Sequence, residues 1–137
     1  MADRILNLNQ QIALLPAAIP DPVLDFLEDF ASGHGLQSEN AKNAFDSEYL
    51  RKQESVLRSD FDAIRADMGA LRQLHVEQGG REIPGAFLVK FTFEKGEKGV
   101  GLLTKLKDRS ILRLLVQPGS YQEEDLRALL KNPPPLG

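Results

Sequence analysis

The chain contains no cysteine and only two histidines. Without cysteine it cannot form a disulfide, a thiolate metal site, an iron–sulfur cluster or a cysteine nucleophile. No apolar run approaches the roughly 20 residues that a membrane span needs. The N-terminus lacks the basic stretch and apolar core of a secretory signal. We therefore expect a cytoplasmic protein that makes no membrane contact.

The residue groupings that carry catalysis are also missing. His34 stands between two glycines and His75 stands alone, and neither has a partner at metal-ligand spacing. The glycines do not form a phosphate-binding loop, and no serine lies in a nucleophile-elbow sequence. We therefore predict no catalytic residues, no metal and no cofactor, and a protein that is not an enzyme.

Charge is distributed unevenly along the 137 residues, a length that suits a single domain spanning 1–137. Residues 1–78 carry a balance of −6 and residues 79–137 a balance of +3. The most basic stretch is Lys90–Arg113. Such a charge dipole can attract an anionic partner at one end of the molecule.

Residues 1–37 are predicted to form an N-terminal arm and a short helix. The apolar pattern of Ile5–Leu15 fits either a short helix or an extended arm. Asp21 can then cap a helix whose first residue is Pro22, a position where the missing N–H of proline costs nothing. Gly33 and Gly35 supply the stop, because glycine accepts the left-handed backbone found after many helices.

Residues 38–78 are predicted to form a long helical region. Its apolar residues follow the alternating spacing of three and four that is typical of a coiled-coil seam. The seam consists of Leu50, Leu57, Phe61, Ile64, Met68 and Leu71. Two interpretations stay open: the helix packs on its own sheet, or the seam is an interaction surface shared with a second chain. Gly69, placed inside this helix, allows close approach of another backbone.

Residues 86–117 are predicted to form a three-stranded antiparallel β-meander. Phe87–Glu94, Val100–Lys107 and Ile111–Gln117 alternate with the period of two expected of strands. A hairpin loop, Lys95–Gly99, joins the first two strands. One face is apolar and needs the long helix as its cover; its residues are Phe87, Val89, Phe91, Phe93, Val100, Leu102, Leu106, Leu112, Leu114 and Val116.

The second face of this meander mixes basic and apolar side chains. Four cations on it are possible contacts to an anion or nucleic acid: Lys90, Lys105, Lys107 and Arg113. The apolar residues between them suggest partial burial by another element or subunit; they are Leu88, Leu103, Ile111 and Leu115.

Residues 120–132 are predicted to form a C-terminal helix, and residues 133–137 a proline-rich tail. Ser120-Tyr121-Gln122-Glu123 matches a capping box, in which Ser120 and Glu123 satisfy each other's free backbone donors. The predicted fold class is therefore α+β: a helical N-terminal half with a long amphipathic helix, a three-stranded meander and a closing helix.

One part of the chain resembles a known family. A long helix followed by Phe87–Phe93, a glycine-rich loop and Val100–Lys107 is similar to part of the bacterial nucleoid-associated proteins of the NdpA type. The resemblance covers residues 45–107 and lies in the hydrophobic pattern. It implies a strand–hairpin–strand unit and association with DNA, and it transfers no functional residue.

Two functional hypotheses follow from the sequence. The first is a non-catalytic protein–protein interaction module, an accessory or adaptor subunit acting in a homo-oligomer or a larger complex. The second is a nucleoid- or DNA-associated protein that uses the basic face of the meander. The acidic overall charge of −3 and the absence of aromatic residues beside the lysines disfavour nucleic acid as the partner.

Overall fold

The computed structural model describes residues 5–8, 11–14, 19–31, 36 and 38–135 as an α+β protein. In chain order, its elements are β1 (Ile5–Leu8), β2 (Gln11–Leu14), α1 (Asp21–Ala31), α2 (Glu39–Asn43), α3 (Ser47–Met68), β3 (Leu71–Gln78), β4 (Ala86–Phe93), β5 (Gly96–Thr104), β6 (Ile111–Val116) and α4 (Glu123–Lys131).

The main sheet has four antiparallel strands in the order β3-β4-β5-β6, one more than predicted. The additional strand is β3, which the prediction of a helical region through residue 78 wrongly counted as helix. Gly69 ends α3 with a φ of 82°, a left-handed conformation that glycine adopts without strain. Leu71 and His75 consequently lie in a strand.

The helices α2 and α3 each begin at a side-chain cap. The Ser38 hydroxyl accepts a hydrogen bond from Ala41 N at the start of α2. The Asp46 carboxylate accepts one from Tyr49 N, 3.1 Å away, at the start of α3. These caps satisfy amide groups that have no partner within the helix. The predicted continuous region is therefore two helices of different length.

One face of the sheet is covered by α1, α2 and α3, as the alternation in the sequence predicts. Phe87, Val89, Phe91 and Phe93 are all buried in the core cluster under these helices. The ring of Phe91 stacks on Phe30 of α1, with centroids 4.6 Å apart. Aromatic rings of the sheet and of the helical layer are therefore in direct contact in this core.

The strand β6 departs from the predicted alternation because it contains a bulge. Leu103 pairs with Arg113 but Thr104 pairs with Ile111, so Leu112 is an extra residue in the ladder. The bulge turns Ile111 to the helix-covered face, where it is 0% exposed. Leu112 and Leu106, predicted to be buried on that face, are 44% and 69% exposed.

The hairpin between β4 and β5 is tighter than predicted. Phe93 pairs directly with Gly96, so the loop is Glu94-Lys95 rather than Lys95–Gly99. Gly96 has a φ of 154°, which places it just inside the range that favours glycine. Residues 97–99 therefore belong to β5 and extend the sheet.

The second face of the sheet is covered by α4. A second core cluster, containing Leu88, Leu115, Leu126 and Leu130, lies between them. The predicted capping box does not form: α4 begins after Gln122, which caps it without a side-chain hydrogen bond. The backbone of Gln122 is bound instead by the buried side chain of Gln117.

The N-terminal segment forms a two-stranded antiparallel hairpin, in which Ile5 pairs with Leu14 and Leu8 with Gln11. The helical alternative for Ile5–Leu15 is therefore wrong over these strands, and the extended alternative describes them. The predicted helix beginning at Asp21 is confirmed as α1. The predicted stop at Gly33 and Gly35 lies outside the described residues, as does His34.

Candidate interaction surface

The predicted helix seam lies inside the protein. Leu50, Leu57, Phe61 and Ile64 on α3 are at most 9% exposed and belong to the core under the sheet. Met68 packs against the same core while remaining partly exposed. These side chains thus cover the protein's own sheet, the first of the two interpretations that the spacing allowed.

The predicted basic strip does not form one surface. Lys90 pairs with Glu97 at 3.7 Å and lies over the ring of Tyr121, whereas the Arg113 guanidinium donates to Pro134 O. Their β5 partners, Gly99 and Leu103, are four residues apart. That spacing separates Lys90 and Arg113 by about 13 Å along the strands.

The other two predicted cations lie beyond the end of β5. The Lys105 ammonium is 2.5 Å from the carboxylate of Asp46, the residue that caps the start of α3. This hydrogen bond lowers the pKa of Asp46 and raises the pKa of Lys105. Lys107 is exposed in the turn that follows. The structure therefore distributes the four cations over different parts of the surface.

A groove of about 580 Å³ lies between α3, the beginning of β5 and the segment that follows β6. Its apolar floor includes Ile64, Met68 and Val116. The Met68 methyl group also lies on the backbone of Gly96, where an added Cβ would be 3.2 Å from it. Methionine is flexible and polarisable, which suits it to contacts with varied apolar groups. We call this opening the α3–β6 groove.

The rim of the α3–β6 groove is acidic. Asp60, Asp67 and Glu97 line it, together with one cation, Lys98. Lys98 donates a hydrogen bond to Gly119 O at 2.9 Å, and Glu97 is paired with Lys90. Within the described part of the chain, no cation lies within ion-pairing distance of Asp60 or Asp67. Both carboxylates are exposed on α3, about 10 Å apart along its axis.

The outer edge of β6 is hydrogen-bonded to the helical layer at two positions, Ile111 and Leu114. Ile111 N donates to Ala44 O and Asp46 N donates to Ile111 O, in an isolated parallel bridge. The Tyr49 hydroxyl accepts from Leu114 N and donates to Leu114 O. Blocking an exposed strand edge in this way prevents uncontrolled pairing with other strands. Val116, the last residue of β6, lines the groove.

A basic turn, Lys105–Ser110, lies at the opposite end of β5 and β6. Lys105 N donates to Ser110 O, and Arg109 N donates to Lys105 O, at 2.9 and 3.0 Å. Asp108 accepts hydrogen bonds from the Ser110 backbone and hydroxyl, which lower the pKa of Asp108. At its tip, Leu106 is the most exposed large hydrophobic residue that the structure describes.

Two ionisable side chains between the helices, Asp29 and Arg65, bind backbone groups. The Asp29 carboxylate accepts from Leu36 N and Ser38 N, at 2.8 and 3.0 Å. The Arg65 guanidinium lies 4.4 Å over the Phe30 ring and donates to Phe30 O, and burial lowers the pKa of Arg65. The Arg65 contacts hold α3 against the end of α1, and the Asp29 hydrogen bonds hold the segment that leads into α2.

No group of three or more acidic or histidine side chains in the described segments could hold a metal ion. His75 lies on β3 and is within 3.2 Å of Glu77. No helix among the described residues is both long and apolar enough to span a membrane. No family model, curated protein or solved structure matches the chain.

The sequence did not reveal the α3–β6 groove because three separate segments build it. In the sequence, Asp60 and Asp67 belong to the polar side of an amphipathic helix, and Val116 is one residue of an alternating strand. Their meeting depends on α3 ending at Gly69 and on the antiparallel return of β6. The one sequence feature that could have pointed to the groove is Met68-Gly69, an apolar residue directly before a glycine that ends a helix.

Proposed function

We propose that this protein is a non-catalytic interaction module whose α3–β6 groove binds a basic segment of a protein partner. The observation that carries the proposal is the pair of exposed carboxylates, Asp60 and Asp67, beside an apolar floor that contains Ile64 and Met68. A segment that carries an apolar side chain beside two cations complements both features. The apolar contact would supply affinity, and the charges would select the partner and speed its approach.

The two methionines of the chain allow a direct test, because selective ¹³C labelling of their methyl groups gives signals only from Met1 and Met68. A Met68→Leu sample assigns the two signals. The probes are two capped pentapeptides, Gly-Lys-Leu-Lys-Gly and its charge-reversed control Gly-Glu-Leu-Glu-Gly. We expect the basic peptide alone to shift the Met68 signal in a saturable way.

A variant that lacks the rim charges sharpens this test. Asp60→Asn combined with Asp67→Asn changes only exposed positions, so the fold should persist and the Met68 signal should keep its position in the free protein. We expect the basic peptide to bind this variant at least several-fold more weakly, and added salt to weaken its binding to the wild type. Equal shifts with both peptides, or no shift of Met68, would contradict the proposed function.

A further inference from the structure

We propose that the segment bound by the α3–β6 groove is the basic turn of a second copy of this protein. This inference rests on the proposed function and names its partner. Leu106 at the tip of the turn would occupy the apolar floor beside Met68 of the neighbouring molecule. The cations after Leu106 would face Asp60 and Asp67.

The turn has the chemistry that the groove requires. Leu106 is 69% exposed, so most of its side chain is available to an apolar surface on a partner. Lys107 and Arg109 follow it, and among the described residues no carboxylate lies within ion-pairing distance of either. Arg81 lines the same depression as Arg109 and adds positive charge at this end of the sheet. The turn thus carries a net positive charge, even with Asp108 included, and the groove a net negative charge, even with Lys98 included.

The turn is also rigid before it binds. Lys105 N and Arg109 N close it through backbone hydrogen bonds, and the Asp108 carboxylate fixes Ser110. The ion pair between Lys105 and Asp46 anchors the turn to the start of α3. Little conformational freedom is therefore lost on docking, which favours binding even by a small contact.

The positions of the two surfaces exclude docking within one molecule. Glu97 and Val116, which line the groove, lie at one end of β5 and β6, and the turn joins the other ends of the same strands. About 20 Å of sheet separates them. When the turn of one copy enters the groove of another, one groove and one turn stay free, so the assembly is head-to-tail and either extends or closes into a ring.

The contact made by one turn in one groove is small for a protein interface, so we expect weak association. We expect a dissociation constant of roughly 0.1 to 1 mM. Sedimentation equilibrium over a concentration series that reaches this range should show a rising average mass for the wild-type protein. The Met68 methyl signal should shift over the same concentrations, because its environment changes when the groove fills.

Two variants separate head-to-tail assembly from other kinds of self-association. Leu106→Asp removes the docking residue and leaves the groove intact, while Asp60→Lys with Asp67→Lys reverses the groove and leaves the turn intact. Each variant alone should stay monomeric. An equimolar mixture should form a dimer that goes no further, since it has one working turn and one working groove. Val56→Asp, at another exposed apolar position, should associate like the wild type.

Several results would overturn this inference. A wild-type protein that stays monomeric to 1 mM would do so, as would variants that still associate alone or a mixture that stays monomeric. If the Lys-Leu-Lys peptide nevertheless shifts Met68 in those samples, the proposed function stands and its partner is a different protein. If the peptide also fails, the groove is not an interaction surface.

Discussion

The two faces of the main sheet are packed against their helices in opposite ways. Under α1–α3, the space is filled with large side chains: Phe30 stacks on Phe91 at 4.6 Å and meets Phe61 edge-on at 5.3 Å. Under α4, the space is reduced by removing side chains. Gly99 and Gly101 of β5 are both buried on that side, and a Cβ built on Gly101 would lie 2.6 Å from Leu130.

This difference predicts which substitutions each face tolerates. The aromatic face should respond most strongly to lost volume, because neighbouring rings cannot collapse into the space left by a missing one. The α4 face should respond to added volume, because the helix already touches the strand. Three substitutions test this comparison. One removes a ring from the aromatic face, one removes a polar contact, and one adds a methyl group to the α4 face. We expect the loss of the polar contact to have an effect of intermediate size.

Loss of the Phe91 ring should have the largest effect. Phe91 is 1% exposed and in contact with Phe30 and Phe93. Phe91→Ala should lower the free energy of unfolding by about 3–5 kcal/mol, measured by urea denaturation followed by circular dichroism. Thr92→Ala, one residue along and half-buried on the other face, is the matched control and should cost far less. Equal losses at the two positions would show that the strand register differs from the one described here.

The part of the fold that the sequence predicts best is this central pair of strands. Phe87–Phe93 alternates without interruption, so its buried face follows directly from the period of two. The edge strands are harder to recognise because each contains a bulge. In β3 the ladder skips Arg72, which places Leu71 and Leu74 on one face three residues apart, the spacing of a helix. The same irregularity in β6 places Ile111 and Leu114 on one face.

The candidate interaction surface, too, can be predicted from the sequence only in part. The basic character of Lys105 and Lys107 can be read from the sequence, but not their position beyond the strand, because Thr104 ends β5 after the ladder slips. The α3–β6 groove needs the positions of three segments relative to one another. A pattern of residues within one element carries no such information.

Removal of the Tyr49 hydroxyl, on the aromatic face, should lower the free energy of unfolding by less than Phe91→Ala does. The Tyr49 hydroxyl both donates to Leu114 O and accepts from Leu114 N, which joins α3 to the edge of the sheet. Tyr49→Phe leaves these two buried backbone groups unpaired and should cost about 1–3 kcal/mol. The control is Tyr121→Phe on the other face, where we expect less than about 0.5 kcal/mol. A smaller loss for Tyr49→Phe than for Tyr121→Phe would contradict the described contact.

The same hydroxyl predicts how stability depends on pH. Burial raises the pKa of Tyr49 above the ordinary value of 10.0, so the folded protein retains a proton that the unfolded chain has lost. The free energy of unfolding should therefore fall as the pH rises above 10, with the full contribution present below it. Burial and nearby carboxylates also raise the pKa of Tyr121, so some of this decline should persist in Tyr49→Phe. We expect the decline to be shallower in that variant than in the wild type.

Added volume at Gly101 should have the smallest net effect and tests the α4 face alone. The methyl group of Gly101→Ala would approach Leu130 Cδ2 at 2.6 Å and Leu130 Cγ at 2.9 Å, so the whole Leu130 side chain has to shift. We expect a cost of about 1 kcal/mol or slightly more from overpacking, partly offset because alanine lowers the entropy of the unfolded chain by about 0.4–1 kcal/mol. In a Leu130→Ala background the methyl group has room, so the same substitution should become stabilising. The difference between the two backgrounds, measured as a double-mutant cycle, should be about 1 kcal/mol. An equal effect of Gly101→Ala in both backgrounds would mean that α4 does not depend on the missing side chain for its close approach to β5.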